Sequence, residues 1–311
     1  MFDANRVLID AFVSKARRAY RETYPDVSAD LEAGLERAAR IALTTLRNCD
    51  CPYHDLEHTL LVTDAGMEIL RGRQLARGNV SPSTWLQAVT ALLFHDLGYL
   101  RGLLGDDRDG AYVADENGQL VTPPPGATDA FMMPYHVARG RLFVTERFAG
   151  DPVIDGVAVA SYIEMTRFPV PDEAFYQQLD SIGALVRAAD LIGQMADPGY
   201  PMKQARLFAE FKETGEASRL GYDNPAELRA DFPTFFYRQV YPYLPPALDY
   251  LGRTTEGGQW IANLVCHLHN ARSEGPAGTG SDTVLPRSLE EFKQRLPDDA
   301  PAKPQIAVNN A

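Results

Sequence analysis

Apolar residues recur at helical spacing over most of this chain. Between Asp3 and Tyr20, the positions Val7, Leu8, Ala11, Phe12 and Ala16 fall on one helical face. Pro25 ends that segment. Ser28 is placed to cap a second helix, in which Leu31, Leu35, Ala38, Ala39, Ala42, Leu43 and Leu46 share a face. A third helix is predicted from near Pro52 to Leu75. A fourth, capped by Ser81 with Pro82 at its first position, reaches about Leu97. The helical period returns over 134–148, 152–165, 172–195, 202–214, 225–231, 233–251 and 256–272, with interruptions at Pro242 and at Pro245–Pro246. No alternating strand pattern of useful length is present, so the expected class is all-α, a helical bundle.

Two stretches break the pattern. Residues 101–133 carry Gly105-Asp-Asp-Arg-Asp-Gly, Glu116-Asn-Gly and Thr122-Pro-Pro-Pro-Gly, which reads as a loop or small hairpin facing the substrate or closing over it. The Gly-Asp stretch lacks the spacing and terminal glutamate of a calcium loop. After Ser273 the composition shifts to Gly, Pro, Ser and Asp, and 276–311 is expected to be a flexible tail holding at most one short helix, 287–296.

Charge narrows the partners. Acidic residues number 42 against 30 basic, a formal charge of -12, which argues against a nucleic-acid polymer or an anionic membrane as ligand. A small phosphorylated molecule stays open, because it needs only a local positive centre. No run approaches a membrane span and no leader pattern opens the chain. Three cysteines, Cys49, Cys51 and Cys266, make no disulfide framework, and Cys49-Asp-Cys51 alone is too few ligands for zinc. The expected home is a reducing cytoplasm. Arginine outnumbers lysine 25 to 5, as a GC-rich bacterial genome produces. A homodimer is left open.

The candidate chemistry sits in six histidines and a few carboxylates. The i, i+4 spacing of His54 and His58 predicts one shared helical face. His95 and Asp96 close an apolar run, Ala91-Leu-Leu-Phe-His-Asp-Leu-Gly. Asp190 interrupts another, Leu185-Val-Arg-Ala-Ala-Asp-Leu-Ile. Each polar group so placed costs several kcal/mol on burial unless it is paired or metal-bound. Taken singly, a core histidine or a carboxylate paired with Arg187 is the plainer reading. Together, two imidazoles and two carboxylates on the core side of different helices suit manganese, iron, zinc or magnesium. His267 and His269, two residues apart, cannot share a helical face and read as core or solvent contacts.

The ordered set His58, His95-Asp96, Asp190 resembles the HD superfamily of metal-dependent phosphohydrolases, and within it the cyclic-nucleotide phosphodiesterase-like branch. That branch opens with Tyr-His-Asn-x-x-His, here Tyr53-His54-Asp55-Leu56-Glu57-His58. Its Ala-Thr-Asp-Met motif has a counterpart in Ser161-Tyr-Ile-Glu164-Met165, and its Ala-Asp-Leu in Ala189-Asp190-Leu191. Phe235-Phe-Tyr-Arg-Gln-Val-Tyr-Pro242 is also similar, so the likeness spans about residues 50 to 255. It implies an HD-domain bundle: helices of 1–49 packing on a catalytic domain of 50–275, with 101–133 inserted and the metal site between core helices.

The same resemblance implies roles. His58, His95, Asp96 and Asp190 would hold a first divalent metal, with Asp96 bridging to a second. His54 would be the general acid, and metal-activated hydroxide the nucleophile. His136 would lie near the second metal, and Glu164 would replace an aspartate close to the ligands. Phe235 would be the stacking aromatic of the substrate pocket. The departures are specific. Tyr99 stands where the family has histidine, or lysine in other HD enzymes, and Arg101 is the candidate replacement cation. The purine-reading glutamine falls near Phe232, and Gln239 lies on another face, which weakens a cyclic-nucleotide substrate. The expected activity is therefore hydrolysis of a phosphoester, a nucleotide or other small phosphorylated metabolite, with one or two metals per chain. The alternatives are a noncatalytic HD-fold binding or sensor module and a di-iron HD-type oxygenase, which needs two further histidines where this chain offers His136.

Overall fold

Side-chain caps set the first helix starts. Asp3, Ser28, Asp55 and Ser81 each accept a backbone N–H three residues on, and they open α1 (Ala4–Thr23), α2 (Ala29–Leu46), α3 (Leu56–Arg77) and α4 (Pro82–Phe94). The computed structural model describes residues 2–108 and 110–273. After α4 come a 3-10 turn at Leu97–Tyr99 and a hairpin of β1 (Tyr112–Val113) and β2 (Leu120–Val121), Tyr112 facing Val121. A second 3-10 turn (Asp129–Met132) leads into α5 (His136–Arg147) and α6 (Gly156–Glu164). Then follow α7 (Ile182–Met195), α8 (Tyr200–Thr214), α9 (Glu216–Leu220) and α10 (Pro225–Phe235). A π turn (Phe236–Val240) and a 3-10 turn (Tyr241–Tyr243) precede α11 (Pro245–Leu251) and α12 (Thr255–Ser273). The class is all-α, as the periodicity predicts. The expected tail, 276–311 with its short helix, lies outside the described residues.

One apolar core runs from Ile9 on α1 to Ala271 on α12, so the helices of 1–49 share it with the rest. At its centre α3 and α7 run antiparallel and approach closely at two glycines. A Cβ added to Gly193 would stand 2.5 Å from the Val62 Cα, and one added to Gly66 would stand 3.2 Å from the Ala189 Cβ. Glycine at both positions brings His58 of α3 beside Asp190 of α7.

A second, smaller cluster of Cys51, Tyr99, Ala130 and Met132 underlies the 101–133 insertion. The insertion is built less on that cluster than on one fully buried side chain, Arg139 of α5. Its guanidinium donates to the carbonyls of Gly98, Leu100 and Val113 and pairs with Asp107 at 2.9 Å. At the far end Asp129 accepts from Arg101 and from Asp50 N, and Thr128 bonds Glu213 of α8. Both ends of the insertion are thus tied down.

Two expectations need correction. The third helix starts at Leu56, because the Asp55 carboxylate takes the His58 N–H; His54 therefore precedes the helix and shares no helical face with His58. Residues 172–181 are not helical. There the Tyr176 and Gln178 carbonyls accept from buried Arg187, and Ser181 caps α7 instead. Among the described residues no helix is long and apolar enough to cross a membrane.

Candidate metal centre

Four of the expected residues converge. His58 comes from the first turn of α3, His95 and Asp96 from the end of α4, and Asp190 from the second half of α7. His58 Nε2 lies 3.3 Å from Asp96 Oδ2 and 3.5 Å from Asp190 Oδ1. His95 Nε2 lies 3.1 and 3.5 Å from the same two atoms. His58, His95 and Asp96 are buried, while the Asp190 side chain keeps 19% of its surface exposed and marks the open side.

The donor set fits a divalent cation. His58 Nε2, His95 Nε2 and Asp96 Oδ2 are buried without a hydrogen-bond partner of proper geometry, a costly arrangement for protein alone. His95 Nδ1 lies 2.7 Å from the Leu92 carbonyl. A carbonyl only accepts, so Nδ1 carries a proton, and Nε2 is the nitrogen that faces the carboxylates and would give its lone pair to a metal once deprotonated. Two ligand groups, His58 with His95 and Asp190, and His54 with His58 and Asp96, each place their donor atoms within 4.8 Å of one another.

Charge is held tightly here. Burial opposes protonation of His58, but the Asp190 and Asp96 carboxylates overcome it and lift the imidazole to about 9. His95 is raised by the same carboxylates against the same burial. Burial would raise Asp96 and Asp190, yet His95 and His58 hold both well below the usual carboxylate range.

His54 is positioned from outside α3. Glu210 of α8, its side chain fully buried, accepts the backbone N–H groups of Tyr53 and His54 and faces His54 Nδ1 at 2.5 Å. Burial disfavours the imidazolium, but the Glu210 charge outweighs it and raises His54 above its ordinary value. Glu210 was not among the expected site residues. Its signal is the one that marks Asp190, a carboxylate inside an apolar turn, Leu207-Phe208-Ala209-Glu210-Phe211.

His136, the first residue of α5, bonds the Met133 carbonyl through Nδ1 at 2.6 Å and aims Nε2 at Asp96 Oδ1, 4.0 Å away. Burial pushes it down to about 4, against a partial opposing pull from Asp96, so the ring is neutral at pH 7.

The other expected substrate residues stand apart from this cluster in their contacts. Arg101 is a correction: its guanidinium bonds Asp129 at 2.7 Å, Asp50 at 3.0 Å and the Ala127 carbonyl at 2.8 Å, and it anchors the insertion rather than facing a phosphate. Glu164 is engaged by Arg141 at 2.8 Å, by Arg167 and by the Tyr176 hydroxyl. Phe235 packs edge-on against exposed Phe168, whereas Phe232 is core beside Tyr200. His267 is buried and bonds the Met195 carbonyl, and His269 is exposed, as their spacing predicts.

No curated protein and no solved structure matches the chain. A family model does, over residues 2–274, and the chain belongs to the Npun_R2479-like family.

Proposed function

We propose that this protein is a metal-dependent phosphohydrolase of HD type, acting on a small phosphoester. The observation that supports the reading is the convergence of His58, His95, Asp96 and Asp190 from three elements, with three of their buried atoms making no hydrogen bond of proper geometry. These four side chains would hold a divalent metal, which in such sites lowers the pKa of water and polarises phosphoryl oxygens.

The chain's own residues supply the proton transfers. Glu210 occupies His54 Nδ1, so the opposite ring nitrogen, Nε2, is the one left to meet a leaving oxygen. The same carboxylate keeps His54 protonated toward neutral pH, which is what a general acid needs. His136 is neutral, and its Nε2 lone pair faces Asp96, so it can accept a hydrogen bond from a water there and orient it. Asp190 and His136 keep 19% and 18% of their side chains exposed, which gives a phosphoryl group an approach to the cluster. A net charge of -12 makes the metal the attraction for an anionic substrate.

Elemental analysis by mass spectrometry, followed by a panel of phosphomonoesters and phosphodiesters, tests this. Wild type is expected to carry one to two manganese, zinc, iron or magnesium per chain, and Asp96→Ala to lose metal and turnover together. His54→Ala should keep its metal and lose about 10²- to 10⁴-fold in rate. A protein that takes up no metal after reconstitution would leave a noncatalytic module. Two irons with oxygen uptake and no hydrolysis would leave the oxygenase.

A further inference from the structure

The three rings of His54, Tyr99 and His136 form a stack. Tyr99 lies 4.9 Å from His54 with 17° between planes, and 4.3 Å from His136 with 15° between planes. His54 precedes α3, Tyr99 closes the 3-10 turn after Asp96, and His136 opens α5, so one phenol ring touches imidazoles from two other elements. We propose that Tyr99 is a positioning residue, whose ring fixes the planes of His54 and His136 so that both imidazoles present their ring edges to the metal centre. As a role within catalysis, this rests on the phosphohydrolase reading; as a statement about ring orientation it does not.

Tyr99 is itself held firmly. It is 2% exposed and backed by Cys51, Ala130 and Met132. The preceding Gly98 makes the approach to α5 feasible, because a Cβ there would stand 1.8 Å from the His136 carbonyl oxygen. The Gly98 carbonyl accepts from Arg139, one turn along α5 from His136, which fixes the turn to the helix. At its edge each imidazole has one hydrogen bond, Glu210 for His54 and the Met133 carbonyl for His136, and His54 also meets Tyr53 and His58 at steep angles. An imidazole turns about its Cβ–Cγ bond, and a single hydrogen bond at Nδ1 resists that turn only as far as one such bond is strong. A flat neighbour against its face removes that freedom, and misplacement by about 1 Å is enough to cost about 100-fold in rate.

The test uses Tyr99→Phe and Tyr99→Leu in the full chain. Proton NMR of the imidazole C–H groups, with and without added zinc, reads the stack directly. The His54 and His136 signals should lie upfield under the phenol ring current, stay there in Tyr99→Phe, and move downfield in Tyr99→Leu. Metal content should be the same in all three proteins. On phosphoesters with poor leaving groups Tyr99→Leu should lose ~10- to 100-fold, part of the ~10²- to 10⁴-fold a general acid supplies. Good leaving groups should be hydrolysed almost normally, and Tyr99→Phe should keep the parent's leaving-group dependence. Unshifted imidazole signals in wild type, or signals that do not move in Tyr99→Leu, overturn the stack. A uniform rate loss across all leaving groups overturns the positioning role. If Tyr99→Leu does not fold, Tyr99→Phe decides: a changed leaving-group dependence there means the hydroxyl acts, not the stacked ring. A wild type that hydrolyses nothing defeats the phosphohydrolase reading while the NMR result still decides the stack.

Discussion

Metal affinity should rise steeply with pH, because the cation competes with protons for the same lone pairs. His58 titrates near 9 and His95 is also raised, each against burial and each because two carboxylates face it. A ligand imidazole must be neutral, so below these values binding has to displace protons. For His58 alone, two pH units between 7 and 9 cost about 2.7 kcal/mol, a ~100-fold weaker affinity at pH 7 than at the limit. With His95 contributing, one to two protons should be released per metal between pH 6 and 8, and the logarithm of the association constant should climb with that slope. Competition against a chromophoric chelator over this range measures the slope. Calorimetry in two buffers of different ionisation heat counts the protons independently. A flat affinity between pH 6 and 8 with no proton release would show that His58 and His95 are neutral before the metal arrives, and would remove the carboxylates' control over them.

Two further outcomes are expected. Arg139→Met leaves Asp107 buried without its charge partner and should destabilise the protein by about 3–5 kcal/mol in urea unfolding, with part recovered in Arg139→Met/Asp107→Leu; a loss under about 1 kcal/mol contradicts Arg139 as the insertion's anchor. Glu210→Gln removes the charge that outweighs burial at His54, so the protonated imidazole should persist only to lower pH. The alkaline limb of the kcat/KM profile should then move toward acid, and an unmoved limb excludes His54 as the group it reports.

Much of this was legible in the chain. Caps at Ser28 and Ser81 and the apolar faces behind them locate α2 and α4 closely, because local side-chain to backbone bonds decide those starts. Three of the four ligand candidates, His95, Asp96 and Asp190, stood out because polar groups in apolar runs need partners; His58 was picked out by its spacing from His54. What periodicity missed depends on distant contacts. Asp55, not a helix-start near Pro52, decides where α3 begins, and a carboxylate from α8 decides where His54 sits. Residues 172–181 contain good helix formers, yet Arg187 takes two of their carbonyls. Arg101 followed the His-Asp turn closely enough to read as a substrate cation, but Asp129, 28 residues on, claims it. Arg139 gave no signal of its own, since it is one of three arginines within the helical period of 134–148.

The Arg139 anchor also has a bearing on synthesis. The carbonyls of Gly98, Leu100 and Val113 wait for a guanidinium that leaves the ribosome about 26 to 41 residues later. At ~5–20 residues per second, that interval lasts from about one second to about eight. During it the nascent Leu97–Tyr99 turn has no partner from α5, and the His95 before it also awaits Asp190, farther down the chain. The order of emergence therefore makes the candidate centre a late product of translation, since Asp190, and the Glu213 that ties Thr128, both follow Arg139.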